Sequence, residues 1–203
     1  KEVEGTITIK NSYTGGTLTG LDNITKIGGL SIGSEENPAA NETLEMVSMT
    51  KLNEVTGNIH VYNNGVKFVQ FDLLKAIEGD FVISSSTLAT LQIPELINVG
   101  GALNIFGMGK GAISTLVFPK VQTVKNSLSI NEISTLKSIS FPELIETGSI
   151  NFSSLSLKNY QCPNFLLLME IVLLFRTIFK EICFPLQEMF LLLILMKCRI
   201  WQP

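Results

Sequence analysis

LNEVTGNIHV (residues 52–61) returns as LKAIEGDFVI (74–83), LINVGGALNI (96–105) and VQTVKNSLSI (121–130), and the shared frame is L-x-x-V-x-G-x-L-x-I. Forms one residue shorter occur at 24–32 (ITKIGGLSI) and 144–152 (LIETGSINF), and the chain opens on the second half of the frame, Val3-x-Gly5-x-Ile7-x-Ile9. A second unit precedes the later copies as LQIP, LVFP, ISFP and YQCP, whose prolines at 94, 119, 142 and 163 lie 25, 23 and 21 residues apart. One G-x-L-x-I strand and one short L-x-[IF] strand per period of this length describe turns of a β-solenoid.

The expected fold is therefore all-β, a right-handed β-helix or leucine-rich-repeat-like solenoid of about seven rungs. Alternation within the frame puts Ile59 and Val61, Phe81 and Ile83, Leu103 and Ile105, and Leu128 and Ile130 on one face, with polar residues between them. Stacked rung on rung, these make continuous aliphatic ladders. A rung buries about four such side chains while ordering more than twenty residues, so it folds only on its neighbours. Proline ahead of L-x-x-V withholds an amide donor and suits a corner. The repeated glycine is expected at the next corner, with a positive φ. Just after the prolines, Glu95, Lys120 and Glu143 are expected to stack as an alternating-charge ladder, a surface feature of small energetic weight.

Composition removes several function classes. The 15 Lys and Arg against 18 Asp and Glu, without a run of like charge, leave no electrostatic footprint for nucleic acid. Three Asp (Asp22, Asp72, Asp80), one His (His60) and three Cys (Cys162, Cys183, Cys198) supply little for catalysis or for a metal, and the cysteines lack zinc-site spacing. No catalytic residue, metal site or cofactor is expected, and the reading is that the protein is not an enzyme. Solenoid glycosidases need two carboxyl groups about 5–10 Å apart, and the expected outward columns hold almost none. Glu78 and Asp80, beside Gly79, come nearest, at a corner where solvated acids are ordinary.

The segments Ser86–Pro94 and Ser134–Pro142 read S-T-L-x-x-[IL]-x-[FI]-P, each followed by a frame copy. With that frame they resemble the receptor-L-domain repeats of fungal GPI-anchored cell-wall organisation glycoproteins, over roughly residues 1–163. The resemblance implies a receptor-L-domain-like solenoid displayed outside the cell, at the outer leaflet of the plasma membrane and in the cell wall. It also implies a signal peptide, a Ser/Thr-rich stretch and a GPI anchor in the full-length form, and a role in wall integrity or spore-wall assembly. Its partners would be cell-wall polysaccharide or wall proteins. Related L domains occur in animal receptor ectodomains, usually joined to Cys-rich modules; the short, cysteine-poor rungs here favour the fungal group. A receptor-like ectodomain binding a peptide or glycan is the second reading, and a carbohydrate-active solenoid enzyme the third.

Two kinds of site follow. Sequons at Asn23, Asn41 and Asn151 are candidate glycosylation sites on a secreted chain; Asn151, between inward Ile150 and Phe152, is expected to point outward. On the G-x-L-x-I sheet the outward positions are expected to read Thr8, Ser31, His60, Val82, Asn104, Ser129 and Asn151, and the next column includes Lys10, Tyr62, Ser84, Phe106 and Asn131. Tyr62, Phe106, His60 and Asn104 form the candidate binding face, because an aromatic ring offers apolar area at small entropic cost.

Residues 164–203 follow another regime, without Gly, Ser, Asp, Ala or Tyr. A membrane helix needs about 20 mostly apolar residues, whereas charged residues and Pro185 divide this segment. Phe165, Leu168, Val172, Phe175, Phe179 and Ile182 follow three-four spacing, so a helix capping the solenoid is one expectation. The frame stops after YQCP, where NFLLLME replaces x-L-x-x-V-x-G. The other expectation is an out-of-frame or intronic translation of a longer gene whose product continues the solenoid.

Overall fold

The computed structural model describes residues 1–10, 12–36, 43–107, 113–153 and 159–161. Among these there are sixteen strands and no helix. They are β1 (Glu2–Ile9), β2 (Lys26–Gly33), β3 (Met46–Ser48), β4 (Glu54–Val55), β5 (Ile59–Tyr62), β6 (Phe68–Gln70), β7 (Ala76–Ile77) and β8 (Phe81–Ser84). There follow β9 (Thr90–Gln92), β10 (Asn98–Val99), β11 (Leu103–Phe106), β12 (Thr115–Val117), β13 (Thr123–Asn131), β14 (Ser138–Ser140), β15 (Glu146–Ser153) and β16 (Asn159–Gln161).

All strand pairings are parallel, as stacking of successive turns requires. The main face stacks β1, β2, β5, β8, β11, β13 and β15, with Leu30, Ile59, Phe81, Leu103, Leu128 and Ile150 in one row. These seven levels enclose about six turns of a β-solenoid. A short flank stacks β4, β7 and β10 and joins the main face through the long strands β2 and β13. A third side is built in two pieces, β3-β6-β9 and β12-β14-β16. The two longest intervals between levels, Leu30 to Ile59 and Leu103 to Leu128, have their extra residues in the sequence between β2 and β3 and between β11 and β12.

The expected alternation holds: Ile59, Val61, Phe81, Ile83, Leu103, Ile105, Leu128 and Ile130 are fully buried. Burial exceeds four side chains per turn, however. Ile59, Val61, Val66, Val69, Phe71, Leu74 and Ile77 lie within one turn and none is more than 1% exposed, because the third side and both adjoining corners also point inward. Phe118 and Phe141, one turn apart, stack with centroids 4.5 Å apart and planes 4° apart.

The proline corners are β-turns. Leu96 N–H donates to the Ile93 carbonyl and Leu144 N–H to the Phe141 carbonyl, both at 3.4 Å, with Pro94 and Pro142 at the second position, whose φ the ring supplies. Asp22 and Thr50 take that position in the turns closed by Ile24 N–H to Leu21 and Leu52 N–H to Met49. The charge ladder forms only in part. Lys120 reaches Glu95 at 2.6 Å, while Glu143 accepts from Gln122 Nε2 at 3.2 Å.

The glycine corners differ from expectation. Among the described glycines only Gly20 and Gly33 have positive φ, and neither is the repeat glycine. Proximity is what selects glycine there. A Cβ on Gly57 would lie 2.4 Å from the Gly28 carbonyl oxygen, one on Gly79 2.7 Å from that of Gly57, and one on Gly148 2.2 Å from that of Asn126. Gly79 N–H donates to Gly57 O at 3.0 Å and Gly101 N–H to Gly79 O at 2.9 Å, so the corners are clamped at strand spacing.

The segment 164–203, for which a helical cap or a mistranslated tail was expected, lies outside the described residues, as do Cys162, Cys183 and Cys198. Among the described residues no helix is long and apolar enough to cross a membrane.

Gly100→Ala, whose Cβ would lie 2.2 Å from the Glu78 carbonyl oxygen, should destabilise the solenoid by about 3 kcal/mol, since that carbonyl must move. Gly5→Ala, whose Cβ meets nothing within 4 Å, should change stability by less than ~0.5 kcal/mol. Urea unfolding of the two variants checks the contrast.

Candidate functional site

Strand register places the four residues of the expected binding face at the corners of a rectangle. His60 and Tyr62 lie on β5, Asn104 and Phe106 on β11, and β8 runs between them with Val82 opposite His60 and Asn104 and Ser84 opposite Tyr62 and Phe106. At the ~4.8 Å spacing of neighbouring strands the two rims stand about 10 Å apart. Tyr62 and His60 are in ring contact, with centroids 5.8 Å apart and planes inclined by 59°.

Between these rims Val82 and Ser84 point away from the core, yet they are only 6% and 5% exposed. Each has a larger side chain one strand away on either side, so rim residues shield them. Sequence reasoning placed both in the outward columns and missed that they form a covered floor. The signal was present: Phe81 and Leu103 are 22 residues apart, as are Ile59 and Phe81, which sets small residues between large ones.

Two polar atoms of this patch, His60 Nε2 and Asn104 Oδ1, are buried without a hydrogen-bond partner among the described residues. Elsewhere on the same face the polar side chains satisfy one another. Asn131 Nδ2 donates to Ser129 Oγ at 2.7 Å, and Asn131 Oδ1 accepts from Ser153 N–H and Oγ–H at 3.0 and 2.9 Å. Tyr62 has its hydroxyl pKa raised above the ordinary value of 10.0, first by burial and then by the negative charges of Glu35 and Asp80.

The face is neutral. Its paired outward rows are Thr8, Ser31, His60, Val82, Asn104, Ser129, Asn151 and Gly33, Tyr62, Ser84, Phe106, Asn131, Ser153, without a carboxylate, lysine or arginine. Gly33 is the paired neighbour of Tyr62, and Lys10 lies beyond the last paired residue of β1. Charge lies around these rows, with Glu35 and Asp80 near enough to act on Tyr62 and Lys10 directly after β1, and on other sides in the ion pairs Lys26–Glu54 at 2.5 Å, Lys67–Glu45 at 2.6 Å and Lys120–Glu95.

Asp80, one of the two acids weighed for catalysis, belongs to a capping ladder that sequence reasoning did not identify. Asn58 Oδ1 accepts from Asp80 N–H at 2.8 Å, and Asp80 Oδ1 accepts from Ala102 N–H at 2.7 Å. The legible signal was Asn or Asp directly after the repeat glycine, a short acceptor able to reach a neighbouring backbone donor. Among the described residues no three His, Cys, Asp or Glu side chains converge as a metal group would require.

Of the sequons, Asn23 is exposed, and its Oδ1 accepts from Lys51 Nζ at 2.9 Å. That bond engages the carbonyl oxygen and not the nitrogen to which a glycan is joined. Asn151 is exposed on β15 in the row of Ser129 and Asn104, between partly buried Ile150 and Phe152. Asn41 lies outside the described residues.

No protein-family model, curated protein or solved structure matches this chain. The class established is a β-solenoid with a neutral outward sheet face.

Replacing Asp80 by Ala should cost about 1–2 kcal/mol by orphaning the Ala102 N–H, and Asp80→Asn, which keeps the acceptor, should recover most of it in thermal unfolding. Tyr62 should ionise above pH 10.0, seen as the absorbance component lost in Tyr62→Phe. Its raised folded value means that its contribution to stability is full below the unfolded pKa and is lost as pH rises through the folded one.

Proposed function

We propose that this chain is a non-catalytic cell-surface glycoprotein that supports fungal cell-wall organisation and integrity or spore-wall assembly. In its full-length form it is held outside the plasma membrane by a GPI anchor, and it works by presenting the main sheet to wall polysaccharide or wall proteins. The observation that carries the reading is the uncharged sheet face on a rigid stack. Parallel backbone ladders and a continuous core fix the spacing of every side chain on that face, as a scaffold needs. The wall setting rests on the resemblance of the repeat; the exposed sequons Asn23 and Asn151 suit a secreted chain.

A receptor-like ectodomain is the second reading, favoured by one observation. The aromatic side chains and unpartnered polar atoms are confined to three neighbouring strands, β5, β8 and β11, as a local recognition site would be. An enzyme of wall polysaccharide is supported less, because Asp80 is committed to the Ala102 amide.

The test is retention on isolated walls. The secreted chain should sediment with them, and Tyr62→Ala/Phe106→Ala should be retained roughly tenfold less, a loss of ~1.4 kcal/mol. Endoglycosidase should lower the mass of the secreted chain, and Asn23→Gln/Asn151→Gln should reduce that shift. Equal retention of the face variant would remove the scaffold reading. Release of reducing sugar that disappears in Asp80→Asn would replace it with the enzyme reading.

A further inference from the structure

We infer that His60, Tyr62, Asn104 and Phe106, around the floor of Val82 and Ser84, form a subsite for a neutral, equatorially linked pyranose chain. About two sugar units lie across β5, β8 and β11. The inference rests on the reading of this face as a binding surface and adds the chemical class of its ligand.

Three observations carry it. First, the rims contribute one aromatic ring each, two strands apart, at about 10 Å. That separation is close to one disaccharide repeat of an extended, equatorially linked chain, so every second sugar unit meets a ring and the unit between them lies over Ser84. The axial C–H groups of such a sugar form flat apolar faces, for which an aromatic side chain supplies contact area.

Second, the patch has unused hydrogen-bonding capacity where a sugar carries its hydroxyls. His60 Nε2 and Asn104 Oδ1 flank Val82 on opposite sides and have no partner, whereas Ser129, Asn131 and Ser153 on the same face are mutually bonded. A buried polar atom without a partner calls for a cause. The terminal torsions of His and Asn are soft, so rotation turns either group outward to meet a hydroxyl, which both donates and accepts. The two sites then recover bonds that the unliganded protein forgoes.

Third, neutrality selects among polymers. Without a basic side chain in either outward row, the patch has no counter-charge for a uronate, sulfated or phosphorylated chain. An extended peptide is also disfavoured. Strand addition uses an open sheet edge, but β8 is already paired on both sides, with β5 and β11.

His60 is the only histidine of the chain, so its ring protons report this patch without ambiguity. The full chain is titrated with cellohexaose and with laminarihexaose, and in parallel with hexagalacturonate, which is both anionic and axially linked. The expected result is a saturable shift of the His60 Cε1 proton with at least one neutral hexasaccharide and none with hexagalacturonate. Tyr62→Ala and Phe106→Ala should each weaken binding roughly tenfold, and Phe106→Tyr, which keeps the ring, should retain it. Matched thermal unfolding of the alanine variants separates lost contact from lost fold.

No shift with either neutral sugar at millimolar concentration overturns the inference, as does equal binding of hexagalacturonate or unchanged affinity in both alanine variants. Wall retention separates the two levels. A chain that sediments with walls through Tyr62 and Phe106 but binds no neutral sugar keeps the scaffold reading with a protein partner. A chain that fails to sediment loses that reading as well.

Discussion

Successive corners of this fold press closely together, with the α-carbon of a glycine against a carbonyl oxygen of the turn before. At Gly57, Gly100 and Gly148 even a methyl group would collide with that oxygen. Because the corners come this close, the strands on both sides can pair at full spacing, and the aliphatic rows behind them meet without gaps. The backbone bonds along the Gly57, Gly79 and Gly101 corner and the burial of Leu52, Leu74 and Leu96 are two consequences of one geometry. Short-range packing thus sets a long-range order, turn on turn.

Much of this was legible in the sequence because side-chain direction in a strand alternates strictly. Knowing that Ile59 and Val61 face inward places His60 and Tyr62 outward, and the period brings Asn104 and Phe106 into the same two rows. The proline corners were legible too, since a fixed φ and a missing donor suit one place in a turn. Glycine was recognised at its corner for the wrong physical reason, because conformational freedom and absence of bulk leave the same residue in a sequence. The burial of Val82 and Ser84 was not legible from alternation alone. It depends on the size of the neighbours one strand away, which only register supplies. The bond between Asp80 and Ala102 likewise joins residues 22 positions apart; Asn or Asp after the repeat glycine marks an acceptor, and only the register shows which amide it reaches.

The division of charge gives the surface its functional direction. Ion pairs lie along the flank, the third side and the proline corners, where each adds little to stability. The main face is uncharged, and its aromatic residues and unpartnered polar atoms coincide within three strands. The capping use of Asp80 removes the most obvious acid from that neighbourhood as a free reactant. What remains is an uncharged pair of rows whose side chains repeat one strand apart.

The third side, unlike the main face, is not continuous. No strand pairing joins β9 to β12 among the described residues, although Ile113 N–H does donate to the Leu88 carbonyl at that level. A rod reinforced along two sides and slit along the third does not bend equally in all directions. The break lies at the level where β11 and β13 are still paired on the main face, and Phe106 and Asn131 are neighbours there. One rim of the patch therefore sits where the stack is held by strand pairing on the main face and not on the third side.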